Sequence, residues 1–212
     1  MRLSLTKALA GLAALAAFAT PASAHPHVWV TSKAEVVYDK DQIAAIQHHW
    51  TFDEFYAAMA IQGLDTNNDG VYTREELAEL AKVNLEGLKE FDFFTYAKLA
   101  GKALEFAAPA EQWLEHKDGV LTLHYKLPLK QPLEASAKGF QFAVYDPSFF
   151  IAFEMAKGDA ITLAGAPAGC KITVGQLEET PEEKTLTGAM TQQFGGSGSG
   201  STKAAQVTCT NS

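Results

Sequence analysis

Two histidines near the start of the chain are separated by a single proline, in the run Ala24-His25-Pro26-His27. A chain that begins at His25 offers two nitrogen donors on one residue, the free α-amine and the imidazole, and His27 adds a second imidazole. Nitrogen donors of this kind suit zinc, nickel, cobalt and copper. The spacing therefore predicts a transition-metal site, provided that the chain is cut after Ala24.

Residues 1–24 have the features of a secretory signal peptide. A basic start is followed by an apolar run from Ala8 to Ala19 and by the small-residue cleavage pattern Ala22-Ser23-Ala24. The apolar run is too short for a comfortable membrane span. We therefore expect an exported, soluble protein that begins at His25 and does not insert into the membrane.

The charge of the chain argues against a nucleic-acid partner. The whole chain carries a formal charge of −8, from 17 basic and 25 acidic residues. Removing the predicted signal peptide takes away two basic residues and no acidic one, which leaves a charge of −10. A chain this acidic is a poor partner for nucleic acid or anionic lipid and is better suited to cations.

Cys170 and Cys209 are the only cysteines in the sequence. An even pair in an exported protein predicts a disulfide. It would tie the C-terminal tail back across the glycine- and serine-rich stretch from Gly195 to Ser201. We expect one β-rich domain over residues 25–194, followed by a linker and tail at 195–212 that this disulfide tethers.

β-Branched and aromatic residues predict two strands, Val28 to Tyr38 and Ile43 to Phe52, joined as a hairpin by the turn-like Asp39-Lys40-Asp41. Two helices follow, Asp53 to Leu64 and Thr73 to Glu90. Further strands are predicted at about 103–106, 112–116, 120–127, 139–146, 149–154, 161–163 and 171–174. The predicted fold class is α+β, a mostly antiparallel β-sandwich with an EF-hand helix-loop-helix inserted at 53–90.

The twelve residues between the two predicted helices match the EF-hand calcium loop. That loop places oxygen ligands at positions 1, 3, 5, 7, 9 and 12 and a glycine at position 6, and Gly70 stands at the sixth position here. The predicted Ca²⁺ ligands are Asp65, Asn67, Asp69, the carbonyl of Val71, Thr73 and Glu76. We expect a single hand with a dissociation constant on the order of 10⁻⁴ M that holds the inserted helices in place and does not act as a switch.

The remaining candidate ligands for a transition metal come from the first hairpin. If this hairpin centres on Lys40, His27 lies opposite Asp53, and His49 falls on the same face. A slip of one residue would bring in His48 instead, so the choice between His48 and His49 stays open. His116 and His124 are interpreted as structural.

Three segments carry a resemblance to a known family. They are His25-Pro26-His27-Val28-Trp29-Val30, Trp50-Thr51-Phe52-Asp53-Glu54-Phe55 and Tyr145-Asp146-Pro147-Ser148-Phe149-Phe150. Together with the acidic loop, they resemble a bacterial periplasmic family long labelled as a domain of unknown function, over most of the mature chain up to about Glu154. Members of that family are described as periplasmic components of ABC-type transport systems, and they include zinc-associated Zev-type proteins whose genes often lie beside nickel/cobalt-type permeases.

The resemblance implies a periplasmic metal-handling partner of a membrane permease. His25, His27 and Asp53 are the positions that it carries over. Asp146 is a weaker addition, because it precedes Pro147 in a turn that could project its carboxylate.

Three functions follow from these observations. The first is a metal-binding accessory protein that delivers or buffers zinc, nickel or cobalt for a permease, with a structural calcium site and no catalytic activity. The second is a redox protein or enzyme that uses a copper histidine brace. The third is a calcium-stabilised interaction module. The sequence contains no recognisable Ser-His-Asp arrangement, phosphate loop or cysteine nucleophile, so we do not expect a hydrolase.

Overall fold

A computed structural model describes residues 26–148, 150–177 and 202–210 of the chain. The described strands are β1 Val28–Asp39, β2 Gln42–Phe52, β3 Thr95–Leu99, β4 Lys102–Ala103, β5 Ala110–Lys117, β6 Val120–Glu134, β7 Phe140–Val144, β8 Ile151–Met155, β9 Ile161–Ala164, β10 Cys170–Gln176 and β11 Lys203–Cys209. The helices are α1 Glu54–Ala60 and α2 Ala78–Leu88, followed by a 3₁₀ helix at Lys89–Phe94. The predicted signal peptide, His25 and the Gly195 to Ser201 stretch lie outside the described residues.

The strands form two sheets. The larger sheet has the order β5-β6-β2-β1-β8, and β9 also pairs with β1. β8 and β9 run parallel to β1, whereas the other pairs of this sheet are antiparallel. The smaller sheet has the order β10-β11-β7-β3-β4 and is antiparallel throughout. The predicted class is therefore confirmed in its coarse form, as a mostly β-protein of two open sheets with two helices.

One face of the larger sheet is apolar because side chains along its long strands alternate between the two faces. The smaller sheet covers one end of this face, through the buried residues Val36, Ile46, Phe140, Phe142 and Val207. The two helices cover the other end, through the buried residues Trp50, Leu123, Ala57, Ala81 and Leu85. The opposite face carries polar side chains, including Lys33 and His49 at paired positions.

The first hairpin turns at Lys40 and Asp41, which both have positive φ, as the two-residue turn of a tight hairpin requires. Lys33 pairs with His49, and the register shifts at an irregularity between Val37 and Tyr38. A hairpin centred on Lys40, as predicted, would have a different register. The observed register is displaced from the predicted one by two residues along most of the strand. The prediction that His27 lies opposite Asp53 is therefore wrong.

The helices are shorter than predicted. α1 ends at Ala60 and α2 begins at Ala78, so residues 61–77 form a connection between them. The two helices flank the acidic loop in the predicted order, but a complete EF-hand is not shown. No helix in the described part of the chain is long and apolar enough to cross a membrane.

Residues 203–209 form a strand of the smaller sheet, where a tail was predicted. β11 pairs with β10 on one side and with β7 on the other, and Ala204, Ala205 and Val207 are buried. The predicted disulfide between Cys170 and Cys209 is confirmed, and it joins two residues that lie directly opposite each other in β10 and β11. This strand was not predicted, because small alanines after a glycine- and serine-rich stretch give a weak strand signal.

Candidate metal-binding sites

The side chains of the acidic loop turn inward onto the backbone of the loop itself. Asp65 accepts hydrogen bonds from the backbone N–H groups of Asp69, at 3.2 Å, and Gly70, at 2.9 Å. Asn67 Oδ1 accepts from Asp69 N at 2.9 Å, and Asp69 Oδ1 accepts from Val71 N at 2.7 Å. Gly70 has a φ of 80°, a conformation that glycine adopts without a steric cost. The loop is thus held in one shape by its own acidic side chains.

Glu76 closes the loop by binding both of its ends. Its Oε1 accepts from the backbone N and the hydroxyl of Thr66, at 2.9 and 2.8 Å, and its Oε2 accepts from the backbone N and the hydroxyl of Thr73, both at 3.0 Å. The backbone bond from Thr73, followed by the bonds from Thr66, lowers the pKa of Glu76 from 4.5 to about 2. The carboxylate is therefore ionised at any physiological pH.

The donor set of the loop fits calcium, but its carboxylates do not converge in this conformation. Within the described residues, no group of three or more His, Cys, Asp and Glu side chains is placed to hold a metal ion. Asp65, Asp69 and Glu76 bind N–H and hydroxyl groups of the loop instead. Each oxygen of Asp65 and Asp69 accepts one hydrogen bond and still has a lone pair to offer, whereas each oxygen of Glu76 accepts two and must exchange them for an ion. The predicted ligands thus lie in one ordered loop that has to tighten to surround an ion.

Two side chains of the loop dock it on the edge strand β5. The ring of Tyr72 contacts that of His116 edge-on, with centroids 4.8 Å apart, and the guanidinium carbon of Arg74 lies 4.7 Å from the ring centroid of Trp113. Trp113 and His116 are three positions apart on β5, so their side chains point to opposite faces of the sheet. The loop therefore straddles the edge of the larger sheet.

The N-terminal histidine motif lies at a different corner of the molecule. His27 is exposed, its ring stacks on Phe150 with centroids 4.7 Å apart, and its backbone N–H donates to the carbonyl of Phe150 at 2.8 Å. Asp146 is buried and holds the turn before Phe150, because it accepts hydrogen bonds from Ser148 and from the N–H of Ile151. Its oxygens are thus engaged by the protein itself.

Asp53 caps helix α1. Its Oδ1 accepts from the N–H of Tyr56, and its Oδ2 accepts from the N–H of Trp29, both at 2.9 Å. Desolvation raises the pKa of Asp53, but these backbone hydrogen bonds outweigh it and lower the pKa below its usual value. Asp53 thus joins β1 to the start of α1, and no metal is needed to explain its position.

His48 belongs to the core. It is fully buried and stacks on Tyr125 with centroids 4.8 Å apart. Its Nε2 lies 3.3 Å from the hydroxyl of Thr95, which itself donates to the carbonyl of Phe93. Nε2 of His48 must therefore be the donor to Thr95, which leaves Nδ1 as a buried atom without a partner. Burial, with a smaller contribution from His49, lowers the pKa of His48 to about 3.

His49 contacts His124, which was expected to be a structural residue. Nδ1 of His49 lies 2.6 Å from Nδ1 of His124, whose ring stacks on Trp113. The carboxylate of Glu115 lies 3.7 Å from Nε2 of His124. Burial, followed by the neighbouring His49, lowers the pKa of His124 to about 4, and burial also lowers that of His49. Both rings are therefore neutral at neutral pH.

The predicted transition-metal ligands are thus not gathered into one described site. His27 is at an exposed corner, Asp53 caps a helix, Asp146 holds a turn, His48 is in the core and His49 is on the polar face. His49 is six residues along the hairpin register from His27, which corresponds to about 20 Å along a strand. His25 lies outside the described residues.

The architecture is that of a two-sheet, mostly antiparallel β-protein with an acidic loop docked on an edge strand. The chain belongs to the family described as "Protein of unknown function (DUF1007)", which matches residues 10–209. It is similar to an "Uncharacterized 15.5 kDa protein in trpE 3'region" of Spirochaeta aurantia, with 30% identity over 111 residues, 52% of this chain and 74% of that protein. It is also similar to an uncharacterized protein of Haemophilus influenzae, with 19% identity over 150 residues, 70% of this chain and 71% of that protein.

Proposed function

We propose that this protein is an exported metal-binding accessory protein in which the acidic loop binds Ca²⁺ and thereby fixes the helices on the larger sheet. The observation that carries the calcium proposal is the loop itself, whose three carboxylates occupy the first, fifth and twelfth ligand positions. Backbone amides already order all three. The side chains must exchange hydrogen bonds for the ion, but the backbone of the loop is already ordered, so less conformational entropy is lost on binding.

The charge of the loop also supports a cation. Within the described residues, no Lys or Arg forms a salt bridge with Asp65, Asp69 or Glu76; the described pairs involve other carboxylates. The loop thus carries three carboxylates within twelve residues and has no described cationic partner for them. Ca²⁺ accepts the mixture of carboxylate, amide, carbonyl and hydroxyl oxygens that the loop offers.

The experiment is a thermal melt of the exported protein with and without Ca²⁺. At a calcium concentration 100 times the dissociation constant, binding to the folded state alone stabilises it by about 2.7 kcal/mol. We expect this rise in Tm in the wild type and in Glu79→Gln, which removes an exposed carboxylate of α2 outside the loop. Glu76→Gln removes the bidentate ligand and should abolish the rise. A wild type that does not respond, or a Glu76→Gln variant that does, contradicts the proposal.

The second part of the proposal is that the N-terminal histidines bind zinc, nickel or cobalt for a membrane permease. The exposure of His27 supports it, since within the described residues its imidazole nitrogens make no hydrogen bond and its ring is oriented by Phe150 alone. Cleavage after Ala24 would place the amine and imidazole of His25 two residues away. An amine and two imidazoles form a donor set for a borderline transition metal.

This part is tested with two forms of the mature chain, one that begins at His25 and one with an added alanine before it. The added residue keeps both imidazoles but moves the free amine away. We expect nickel and zinc to bind at least tenfold more weakly at the N-terminus of the extended form, and the His25→Ala, His27→Ala double variant to lose that one equivalent. Equal affinities in all three proteins contradict it. Peroxide-driven oxidation by the copper-loaded protein would favour the histidine-brace alternative, and loss of growth under zinc or nickel limitation would favour transport.

A further inference from the structure

We propose that His49 and His124 form a second transition-metal site, on the polar face of the larger sheet, for an ion of the zinc, nickel and copper class. The site shares no residue with the acidic loop or with the N-terminal motif. It therefore does not depend on the function proposed above.

Strand pairing places the two rings side by side. Lys33 of β1, His49 of β2, His124 of β6 and Trp113 of β5 are successive partners in one row across four strands. The two Nδ1 atoms are 2.6 Å apart, whereas two nitrogens bound to one tetrahedral ion at 2.0–2.1 Å are about 3.4 Å apart. A rotation that separates the rings by less than about 1 Å is enough to admit the ion. The fold has thus already brought both ligands together.

The short contact constrains the positions of the ring protons. Only one proton fits between the two Nδ1 atoms, so one of them presents a lone pair and the other carries that proton. When an ion enters, this proton moves to Nε2 of the same ring, so that both neutral imidazoles offer Nδ1 as a ligand. Glu115, 3.7 Å from Nε2 of His124, favours a proton on that nitrogen and leaves Nδ1 of His124 as an acceptor. Metal-binding histidines commonly donate their second ring N–H to a carboxylate, which fixes the tautomer, and Glu115 lies on that side of His124 but beyond hydrogen-bond distance.

The surroundings hold His124 and leave a path for the ion at His49. The side chain of His124 is 13% exposed, one face of its ring stacks on Trp113, and its buried Nε2 has no hydrogen-bond partner. His49 is only half-buried. With two imidazoles and water as ligands, the donor set favours copper, nickel or zinc over magnesium or calcium.

The charges nearby are nearly balanced. On β1, Lys33 lies opposite His49 and Glu35 lies two residues further along, and the two shift the pKa of His49 in opposite directions. On the other side, Glu115 and Arg74 act in opposite directions on His124. The site therefore does not repel a divalent cation strongly.

The test uses the full mature chain in the His25→Ala, His27→Ala background, so that the N-terminal site cannot contribute, with calcium held constant. Titration with Zn²⁺ and with Cu²⁺ should show one remaining equivalent. His49→Gln and His124→Gln should each weaken it at least tenfold, and His116→Gln, on the neighbouring strand, should leave it unchanged. Unchanged binding in both variants, or no stoichiometric binding in the background protein, overturns the proposal. If the His25→Ala, His27→Ala protein binds no Zn²⁺ or Cu²⁺ while the unsubstituted chain does, this proposal is wrong and the N-terminal proposal is unaffected.

A measurement on the unsubstituted chain guards against variants that fail to fold. Histidine modification by diethyl pyrocarbonate, mapped by peptide mass spectrometry, reports each ring separately. With Zn²⁺ present, His49 should be protected at least severalfold relative to the metal-free protein, while His116 should not change. Equal modification of His49 with and without Zn²⁺ means that the two rings only share a hydrogen bond, and the site is wrong.

Discussion

The indole of Trp113 lies parallel to the imidazole of His124, with ring centroids 4.7 Å apart and planes 8° apart. Arg74, from the acidic loop, lies over the same indole. One aromatic side chain on β5 therefore contacts both the candidate calcium loop and the histidine pair. The edge strand is the element through which a change in the loop would reach the polar face of the sheet.

Arg74→Ala should loosen the docking of the loop. A cation over an indole contributes about 0.5–1 kcal/mol at an exposed site, so we expect the free energy of unfolding to fall by about that amount in urea denaturation. Lys82→Ala is the matched control, because Lys82 pairs with the exposed Glu79 on α2, and such surface pairs contribute little. Equal effects of the two substitutions would show that the contact with Trp113 is not stabilising.

Acid should destabilise the protein through His48. Its pKa is about 3 in the folded protein, against 6.5 for the ordinary side chain, so the unfolded chain binds a proton that the folded core rejects. The contribution of His48 to the free energy of unfolding is therefore at its maximum above pH 6.5, and it falls as the pH drops from 6.5 towards 3. The loss at the lower end is on the order of 4 kcal/mol.

The measurement is urea denaturation at several pH values between 7 and 3. His48→Phe keeps an aromatic ring against Tyr125 but removes the titrating group, so its unfolding free energy should fall less steeply over this range. His27→Gln serves as the control, because His27 lies outside the core. If wild type and His48→Phe lose stability in parallel, burial of His48 is not the source of the acid sensitivity.

The long strands and the acidic loop could be predicted because their signals are local. β1 alternates in burial along its twelve residues, β2 is rich in β-branched and aromatic residues, and the loop ligands lie within twelve residues of one another. The register could not be predicted to the residue, since an irregularity near Val37 and the position of the two-residue turn displace the whole hairpin. A shift of two residues preserves the face of each side chain but changes every partner.

The histidine pair could not be predicted because it depends on which strands are neighbours. His49 and His124 are 75 residues apart in the sequence and meet only because β2 pairs with β6. Asp53 is the opposite case, because its local sequence already indicates a helix cap, although it was predicted to be a metal ligand. An aspartate immediately before a helix is a common N-cap, and the structure uses it in that way.

Substitution of Asp53 separates its role as a helix cap from a role as a metal ligand. Asp53→Ala should lower the free energy of unfolding by about 0.5–2 kcal/mol, the usual cost of losing a cap, and should leave zinc and nickel affinity unchanged. Asp53→Asn keeps a cap-forming oxygen and should restore most of the stability. A tenfold loss of zinc affinity in both variants would instead place Asp53 among the metal ligands.

The disulfide should matter more than its position near the end of the sequence indicates. It links residues 39 apart, and closing a loop of that length stabilises the folded state by about 4 kcal/mol in the chain-entropy account. The stabilised strand, β11, lies inside the smaller sheet, so its loss would uncover β7 as well. We expect a Cys170→Ala, Cys209→Ala variant to unfold at lower urea and to show faster amide exchange at Ala205 and Val207.

Because the hydroxyl of Tyr38 lies 3.9 Å from the sulfur of Cys209, Tyr38→Phe separates the loss of that contact from the loss of the covalent link. If both variants lose stability equally and β11 stays protected in each, the cross-link is not what holds the C-terminal strand in the sheet.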